Sequence, residues 1–483
     1  MAPSFLLFLC PPLILLLLVF ISLFLHRRAF IISRNDEIKR TPRTTTIGVF
    51  HPYANGGGGG ERVLFCALLA LIRKYQKLNI NLRILLYAGD DGLSAAELVA
   101  KAADDFNLQE LRLLNVERHV KLISLPSREI LEPSRYPSFT LLWQSLAHIR
   151  LALEAVQQSS KQGLYPQLWV DTTGCPFSYI VASLLYACTV VAYVHYPMIS
   201  TDMISKVQQR GADYNNDANI ASSSSRSSAK YVYYSLFAKV YSLVGKYCTD
   251  VVMVNSTWTY NHIKQLWGKA PTIVYPPCGA MQEYVEFSLE NRELIALSVS
   301  QFRPEKNHLL QLQLFQKLLM KYDTQMKTRF SNFRLVLLGS CRNAEDIARV
   351  EKLKMQAKEL GIADRVDFVV NASFAVLKQF LAKSSIGIHT MFNEHFGISI
   401  VEMMAAGMLV VANNSGGPKA DIVRPDTGLL ALTADEYAAK VLSLLEKSPS
   451  ELVEMRSAAR RSSLRFSDNA FGEQFIAAVG AVI

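Results

Sequence analysis

The stretch Ser384–Pro418, SSIGIHTMFNEHFGISIVEMMAAGMLVVANNSGGP, sets the α/β reading of the whole chain. Ser385–Thr390 is a short apolar run with a β-branched centre, which predicts a buried strand. Met391–Gly397 is polar and aromatic and ends in glycine, so it reads as a loop. Ile398, Val401, Glu402 and Ala405 then recur at three- and four-residue spacing, predicting a helix over Ile398–Ala406 that Gly407 stops. Met408–Ala412 is a second buried strand, and Asn413–Pro418 is dense in turn formers.

Two carboxylates bracket the start of that helix: Glu394 in the loop, and Glu402 eight positions later in the second turn. A helix N-terminus has unpaired backbone N–H groups and a positive dipole end, which together hold phosphate. The two acids would then face what lies on either side of the phosphate. A carboxylate accepts two hydroxyl hydrogen bonds, which suits a ribose or hexose diol. Either Glu alone reads as an ordinary solvated charge. The pair, with Phe396-Gly397-Ile398 between and Ser415-Gly416-Gly417-Pro418 after the next strand, points to a sugar–diphosphate–nucleoside ligand over the helix tip.

Outward from this unit, the same alternation recurs. Strands are expected at Thr46–His51, Leu82–Ala88, His119–Ser124, Gln167–Asp171, Thr189–His195 and Asp250–Asn255. After a linker running from Pro276 to about Arg292, they resume at Glu293–Ser300, Phe333–Leu338 and Arg365–Val369. This is the pattern of two α/β units with mostly parallel sheets covered on both faces. The first strand runs into Pro52-Tyr53-Ala54-Asn55, five glycines (Gly56–Gly60) and a helix opening at Glu61. Gly57, Gly58 and Gly59 make this a phosphate-approach or acceptor loop, since only glycine lets backbone come so close to a ligand. Its spacing fits neither the dinucleotide fingerprint nor the Walker loop. A flexible surface loop is the competing reading. Arg303 and Lys306, in SQFRPEK at the end of the second unit's first strand, lie where α/β sheets bind ligands, and they are suited to neutralising a diphosphate.

E-x7-E ahead of AAG and SGG resembles the donor-site signature of the retaining family-four glycosyltransferases of GT-B architecture, and the resemblance covers most of the chain after the first forty residues. It implies an α/β GT-B fold, two Rossmann-like domains facing a cleft. It also implies roles: Glu394 on the transferred hexose, Glu402 on the ribose, and His195, in the His195-Tyr196-Pro197 strand end, on the hexose from across the cleft. Many members carry Gly-Arg where this chain has Ser300-Gln301, so Arg303 is displaced by two positions while Lys306 is in place. HPYANGGGGGERVL, AYVHYPMIS, SQFRPEKNH and FNEHFGISIVEMMAAG are further similar to the eukaryotic α-1,2-mannosyltransferases of asparagine-linked glycosylation. That likeness implies GDP-mannose as donor, a dolichyl-diphosphate oligosaccharide as acceptor, the endoplasmic reticulum membrane as location, and other mannosyltransferases of the pathway as partners.

The expected organisation is an anchor and basic linker (1–43), an acceptor domain (44–278), a nucleotide-sugar domain (279–460), and a terminal helix (461–483) returning to the first domain. Phe5–Leu25 is 21 uncharged residues, near the roughly 20 that cross a bilayer as a helix. No basic residue precedes it and no small-x-small site follows, which disfavours a cleaved signal peptide. Arg27, Arg28, Arg34, Lys39, Arg40 and Arg43 follow at once, placing the bulk of the chain on the cytosolic side. Seven cysteines without a CxxC pair fit a reducing compartment. The net charge of +10 suits an anionic membrane face or phosphorylated substrates. No nucleic-acid-binding motif accompanies it.

No D-x-D is present, and His389, Glu394 and His395 lack the HExxH spacing, so no metal is expected. Sugar transfer with retention, the departing diphosphate met by Lys306, Arg303 and the helix tip, is the mechanism these residues allow. Two alternatives stay open: another lipid-linked glycosyltransferase, α-1,3-mannosyl or N-acetylglucosaminyl, and a non-catalytic membrane scaffold of the same fold. A donor panel separates the first; the Glu pair and Lys306, which a scaffold does not need, argue against the second.

Overall fold

The computed structural model describes residues 4–90, 92–209, 224–279 and 281–483, with backbone alone at 4–17, 19, 20, 224, 281 and 282. Two parallel sheets organise it. The first takes β1 (Thr44–Phe50), β2 (Asn81–Ala88), β3 (Val120–Ser124), β4 (Leu168–Asp171), β5 (Thr189–Val194), β6 (Val251–Val254) and β7 (Thr272–Ile273) in the order β3-β2-β1-β4-β5-β6-β7. The second takes β8 (Glu293–Val299), β9 (Arg334–Gly339), β10 (Val366–Val370), β11 (Ser384–His389), β12 (Leu409–Asn413) and β13 (Gly428–Ala431) in the order β10-β9-β8-β11-β12-β13. Central strands are nearly continuous apolar runs because helices cover both faces. The first sheet separates the core around Phe50, Trp169 and Tyr241 from the core around Ile47, Leu68 and Tyr193. The chain thus has two Rossmann-like α/β units, as the alternation predicts.

Strand order reverses between β1 and β4, and again between β8 and β11. At such switch points the connections leave in opposite directions and open a crevice at the strands' carboxyl ends. The glycine-rich loop and His51 follow β1, Thr172 follows β4, the Lys306 turn follows β8 and the Glu394 loop follows β11. The crevices therefore receive the glycine-rich loop, the Lys306 turn and the Glu394 loop, three segments the sequence marks for chemistry. The edge strands β7 and β13 were not expected, since two residues, or GLLA without a β-branched centre, give no strand signal.

Helix α1 spans Ser4–Arg40, so the basic segment expected as a linker is helical as far as Arg40, and only residues 41–43 turn into β1. It is docked by side chains: Arg27 donates to the Ser183 carbonyl at 2.9 Å, Arg34 to that of Ala187 at 2.9 Å, and the buried Phe30 ring meets Tyr165 and Tyr186. The side chains of most of Phe5–Leu25 lie outside the described residues. Among the described residues no helix is long and apolar enough to cross a membrane. The serine-rich loop expected over Gly211–Lys230 lies outside them up to 223; from Ser224 the chain is already helical.

Helix α2 (Gly59–Lys77) follows the glycine-rich loop, and α3 (Thr201–Gln208) follows the His195 strand end. Helix α4 (Thr257–Trp267) follows β6, α5 (Ile398–Ala405) follows the Glu394 loop, and α6 (Asp468–Val479) crosses back to α2. There Phe471, Phe475 and Val479 are buried in the first unit's core, and the Arg62 guanidinium binds Asp468 bidentately at 3.2 and 2.7 Å. The two units also meet where Asp421, after β12, accepts from Thr257 N–H at 2.9 Å and from the Tyr275 hydroxyl at 3.0 Å.

Candidate functional site

The loop 391–397 takes its shape from two left-handed residues, Asn393 (φ 52°) and Gly397 (φ 114°), the second being the N-cap of α5. Ser415 Oγ accepts from Asn393 N–H at 2.8 Å, and Gly417 N–H donates to the Glu394 carbonyl at 2.8 Å. A Cβ at Gly416 would stand 2.3 Å from the Glu394 carbonyl oxygen, and one at Gly417 would stand 2.6 Å from Phe396 Cα. The Gly416-Gly417 pair therefore lets one turn lie flat on the other. Phe396 is buried against Tyr275 and Phe466 and fixes the loop from below.

Glu394 Oε2 meets Lys306 Nζ at 2.5 Å and His389 Nε2 at 3.1 Å. Thr390 joins the two loops that carry them, its hydroxyl donating to the Lys306 carbonyl at 2.8 Å. Burial works against the Glu394 charge. The Lys306 ammonium, then the His389 hydrogen bond, outweigh it and hold the carboxyl well below the usual range. His395 is pushed down to about 4 by burial, so it is neutral near pH 7.

Glu402 shares the burial but not the partners. No hydrogen bond to its carboxylate occurs among the described residues, and burial pushes it up to about 7, opposed only by Arg62. That guanidinium is already held by Asp468 and by the Phe106 carbonyl. Arg303 does not join the cluster: extended just before the turn Pro304–Lys306, it faces Glu305 at 3.5 Å rather than Glu394.

From the first unit, the glycine-rich loop reaches the tip of α5: a Cβ at Gly59 would come within 2.7 Å of Ile398 Cδ1. Gly58 N–H donates to Glu61 Oε2 at 2.6 Å, whereas Gly57 (φ 71°) faces open space. A chain of polar groups behind the loop was not anticipated from the sequence. Glu61 Oε1 lies 3.4 Å from His51 Nε2, and His51 Nδ1 lies 2.7 Å from Thr172 Oγ1. His195 Nε2 lies 2.9 Å from the Thr172 carbonyl. A carbonyl only accepts, so His195 carries its proton on Nε2 and presents Nδ1 as an acceptor. Burial lowers its pKa and favours this neutral form. His51 at a strand end, with four residues between it and a glycine run, was the available signal.

The structure thus brings together Glu394, Lys306, the α5 tip and Gly59, with His195 behind α2 (a Cβ at Gly60 would lie 4.0 Å from its Nε2). Among the described residues no group of three or more His, Cys, Asp or Glu is placed to hold a metal ion. Positive charge at the tip comes from Lys306 and the helix amides.

Comparison with known proteins agrees with this geometry. The family "ALG11 mannosyltransferase N-terminus" matches residues 44–267, and "Glycosyl transferases group 1" matches 282–462. The chain is 42% identical over 469 residues (95% of this chain, 91% of the relative) to a Homo sapiens protein named GDP-Man:Man(3)GlcNAc(2)-PP-Dol alpha-1,2-mannosyltransferase. It is 43% identical over 446 residues (91% and 85%) to the protein of that name in Dictyostelium discoideum. Among solved structures, Anabaena HepE in complex with UDP-glucose superposes with a TM-score of 0.58 at 17% identity (90% of this chain, 100% of that one). Sucrose-phosphate synthase from Thermosynechococcus elongatus does so at 0.61 and 15% (91% and 99%). These two share the fold alone; the full-length likeness to the named relatives goes further, and the chain belongs to the ALG11 mannosyltransferase family.

Proposed function

We propose that the chain transfers mannose from GDP-mannose in α-1,2 linkage, in two successive additions, to the dolichyl-diphosphate-linked trimannosyl-chitobiose core during N-glycan precursor assembly. The observation that carries this reading is the full-length likeness to relatives of that name. The site supports the chemistry. The diphosphate lies at the α5 tip, with Phe396, Gly397 and Ile398 beneath it and Gly59 above. Lys306 meets its charge; a preorganised donor aimed at developing charge contributes on the order of 3 kcal/mol. Glu394 accepts from hydroxyls of the transferred mannose, and Glu402 from the ribose diol. His195 faces the mannose from the first unit, its Nδ1 accepting a hydroxyl.

Transfer proceeds with retention. The bond from the anomeric carbon to the β-phosphate oxygen breaks, the acceptor oxygen bonds to that carbon on the same face, and the acceptor proton passes to the leaving phosphate. No metal takes part in this scheme. The apolar run Phe5–Leu25 anchors the chain in the endoplasmic reticulum membrane, with both α/β units on the cytosolic side. A radiolabelled donor panel on purified protein with a dolichyl-diphosphate oligosaccharide tests the reading. Incorporation from GDP-mannose alone is expected; incorporation from a UDP-sugar instead would overturn it.

A further inference from the structure

Beside the donor cluster the two units enclose a cavity of about 210 Å³. The first unit supplies Tyr196, Asp202 and Trp258; the second supplies Phe392, Asn393 and His395. Tyr196 follows His195 in the chain, and Asn393 and His395 flank Glu394, so the cavity shares walls with the donor site. Its rings are ordered across the junction. Tyr196 stacks on His395 with centroids 4.1 Å apart and planes at 20°, and on Trp258 at 5.7 Å and 6°. Phe392 is 55% exposed at the rim, with the Lys206 ammonium 5.8 Å from its ring centroid. Asp202 Oδ2 accepts from Asn393 Nδ2 at 2.9 Å across the junction. Its Oδ1 accepts no hydrogen bond among the described residues.

These features select among ligands. A pyranose has an apolar C–H face and a rim of hydroxyl donors, so it matches flat rings on one side and a carboxylate oxygen on the other. Among the described lining residues Asp202 and Glu305 outnumber the cation Lys206, which disfavours a phosphate or a nucleotide. The volume accommodates one sugar ring. The walls belong to different units, so the cavity is complete only when they face each other across the cleft.

We propose that this cavity is the acceptor subsite, holding the terminal mannose of the growing oligosaccharide. Trp258 and Phe392 contact its apolar face, and Asp202 Oδ1 accepts from its hydroxyls. The assignment rests on the function proposed above. Asp202 doubles as the specificity residue: Asn393 fixes its rotamer, so only a sugar with a hydroxyl at the matching position is received.

The test uses the full chain and two readouts. In transfer assays with dolichyl-diphosphate oligosaccharide, Trp258→Ala is expected to raise the acceptor KM tenfold or more, with GDP-mannose affinity within twofold of wild type. Trp258→Phe should return the acceptor KM to within threefold, and Asp202→Asn should raise it about fivefold. An unchanged acceptor KM in both Trp258→Ala and Asp202→Asn, or an equal loss of donor affinity, overturns the assignment. In the second readout, saturation-transfer NMR with free mannotriose should show contact with aromatic protons in the wild type and its loss in Trp258→Ala. No contact in the wild type overturns the subsite. This readout needs no donor, so a chain that fails to use GDP-mannose leaves it decisive and the two failures are told apart. Should Trp258→Ala lose its fold by circular dichroism, Asp202→Asn and the rim variant Phe392→Ala, expected to weaken mannotriose contact severalfold, decide in its place.

Discussion

Glu394 sits against Lys306 and His389, whereas Glu402, eight residues on, is opposed among the described residues by the Arg62 charge alone, and that cation is spent on Asp468. The two carboxylates flank one helix start, yet one is held ionised and the other is lifted to about 7. Burial raises both; the difference is the ammonium. The Glu394 side is finished before any ligand arrives, with its charges compensated and its loop pinned by Ser415 and Gly417. The Glu402 side is unfinished, a buried acid with vacant acceptor capacity. On the proposed reading the first side does the chemistry and the second waits for the diol that completes it.

Removing the ammonium should break this contrast most severely. Lys306→Ala leaves the buried Glu394 with His389 and the His395 N–H but no ammonium, which costs about 3 kcal/mol of stability by the usual penalty for stripping one partner from a buried pair. Single-turnover transfer should fall by ~10³-fold. Near-normal rates would place the diphosphate elsewhere. The sign of the acid response is fixed by the depressed Glu394 pKa. Its contribution is present above the ordinary carboxylate value of 4.5 and is lost as pH falls toward the folded value, a loss that Lys306→Ala should reduce.

Glu402→Gln tests the other side and should separate stability from function. A carboxyl raised in the folded chain favours the neutral form, so stability declines as pH rises from 4.5 to about 7 and stays reduced above. An amide avoids that decline. At pH 8 the ligand-free variant should melt higher, by ~2 kcal/mol once solvent screening is allowed for. Its donor affinity should nevertheless drop about tenfold, the cost of a lost charge-assisted hydrogen bond. Equal melting curves, or unchanged donor binding by calorimetry, would erase the distinction between the two acids.

A milder consequence is a pH profile. GDP-mannose affinity should improve as pH rises through about 7, where Glu402 ionises, and Glu402→Gln should flatten the profile. A profile that persists in the variant would assign the titration to another group. The smallest expected effect is that of a chelator: transfer in EDTA should match transfer without it, because the Lys306 ammonium and the α5 amides supply the positive charge. A strict manganese requirement would contradict that division of labour.

Much of this was legible before any coordinate. Strand–loop–helix alternation fixed two parallel sheets, because buried strands must be apolar runs and turns must be glycine-rich. Glu394, Lys306 and Gly59 converge because each follows a strand that ends at a reversal of sheet order. What was hidden depends on approach between segments far apart in the chain. Arg303 is near Lys306 in sequence but turns to Glu305, which no spacing rule states. Glu61 and His51 are 10 positions apart and met only through the loop between them. Asp202 and Asn393 are separated by 191 positions, and Trp258 and His395 meet only because the two sheets face each other.

The returning helix α6 has a consequence for biosynthesis. Phe471, Phe475 and Val479 complete a hydrophobic core whose other buried members run from Ile47 to Val274, all in the first unit. A ribosome has therefore made the whole second unit before the first can be sealed. A premature stop before Asp468 would leave that early-made unit with an apolar gap beside Tyr193 and Arg62 without its carboxylate, a target for quality control well away from the catalytic residues.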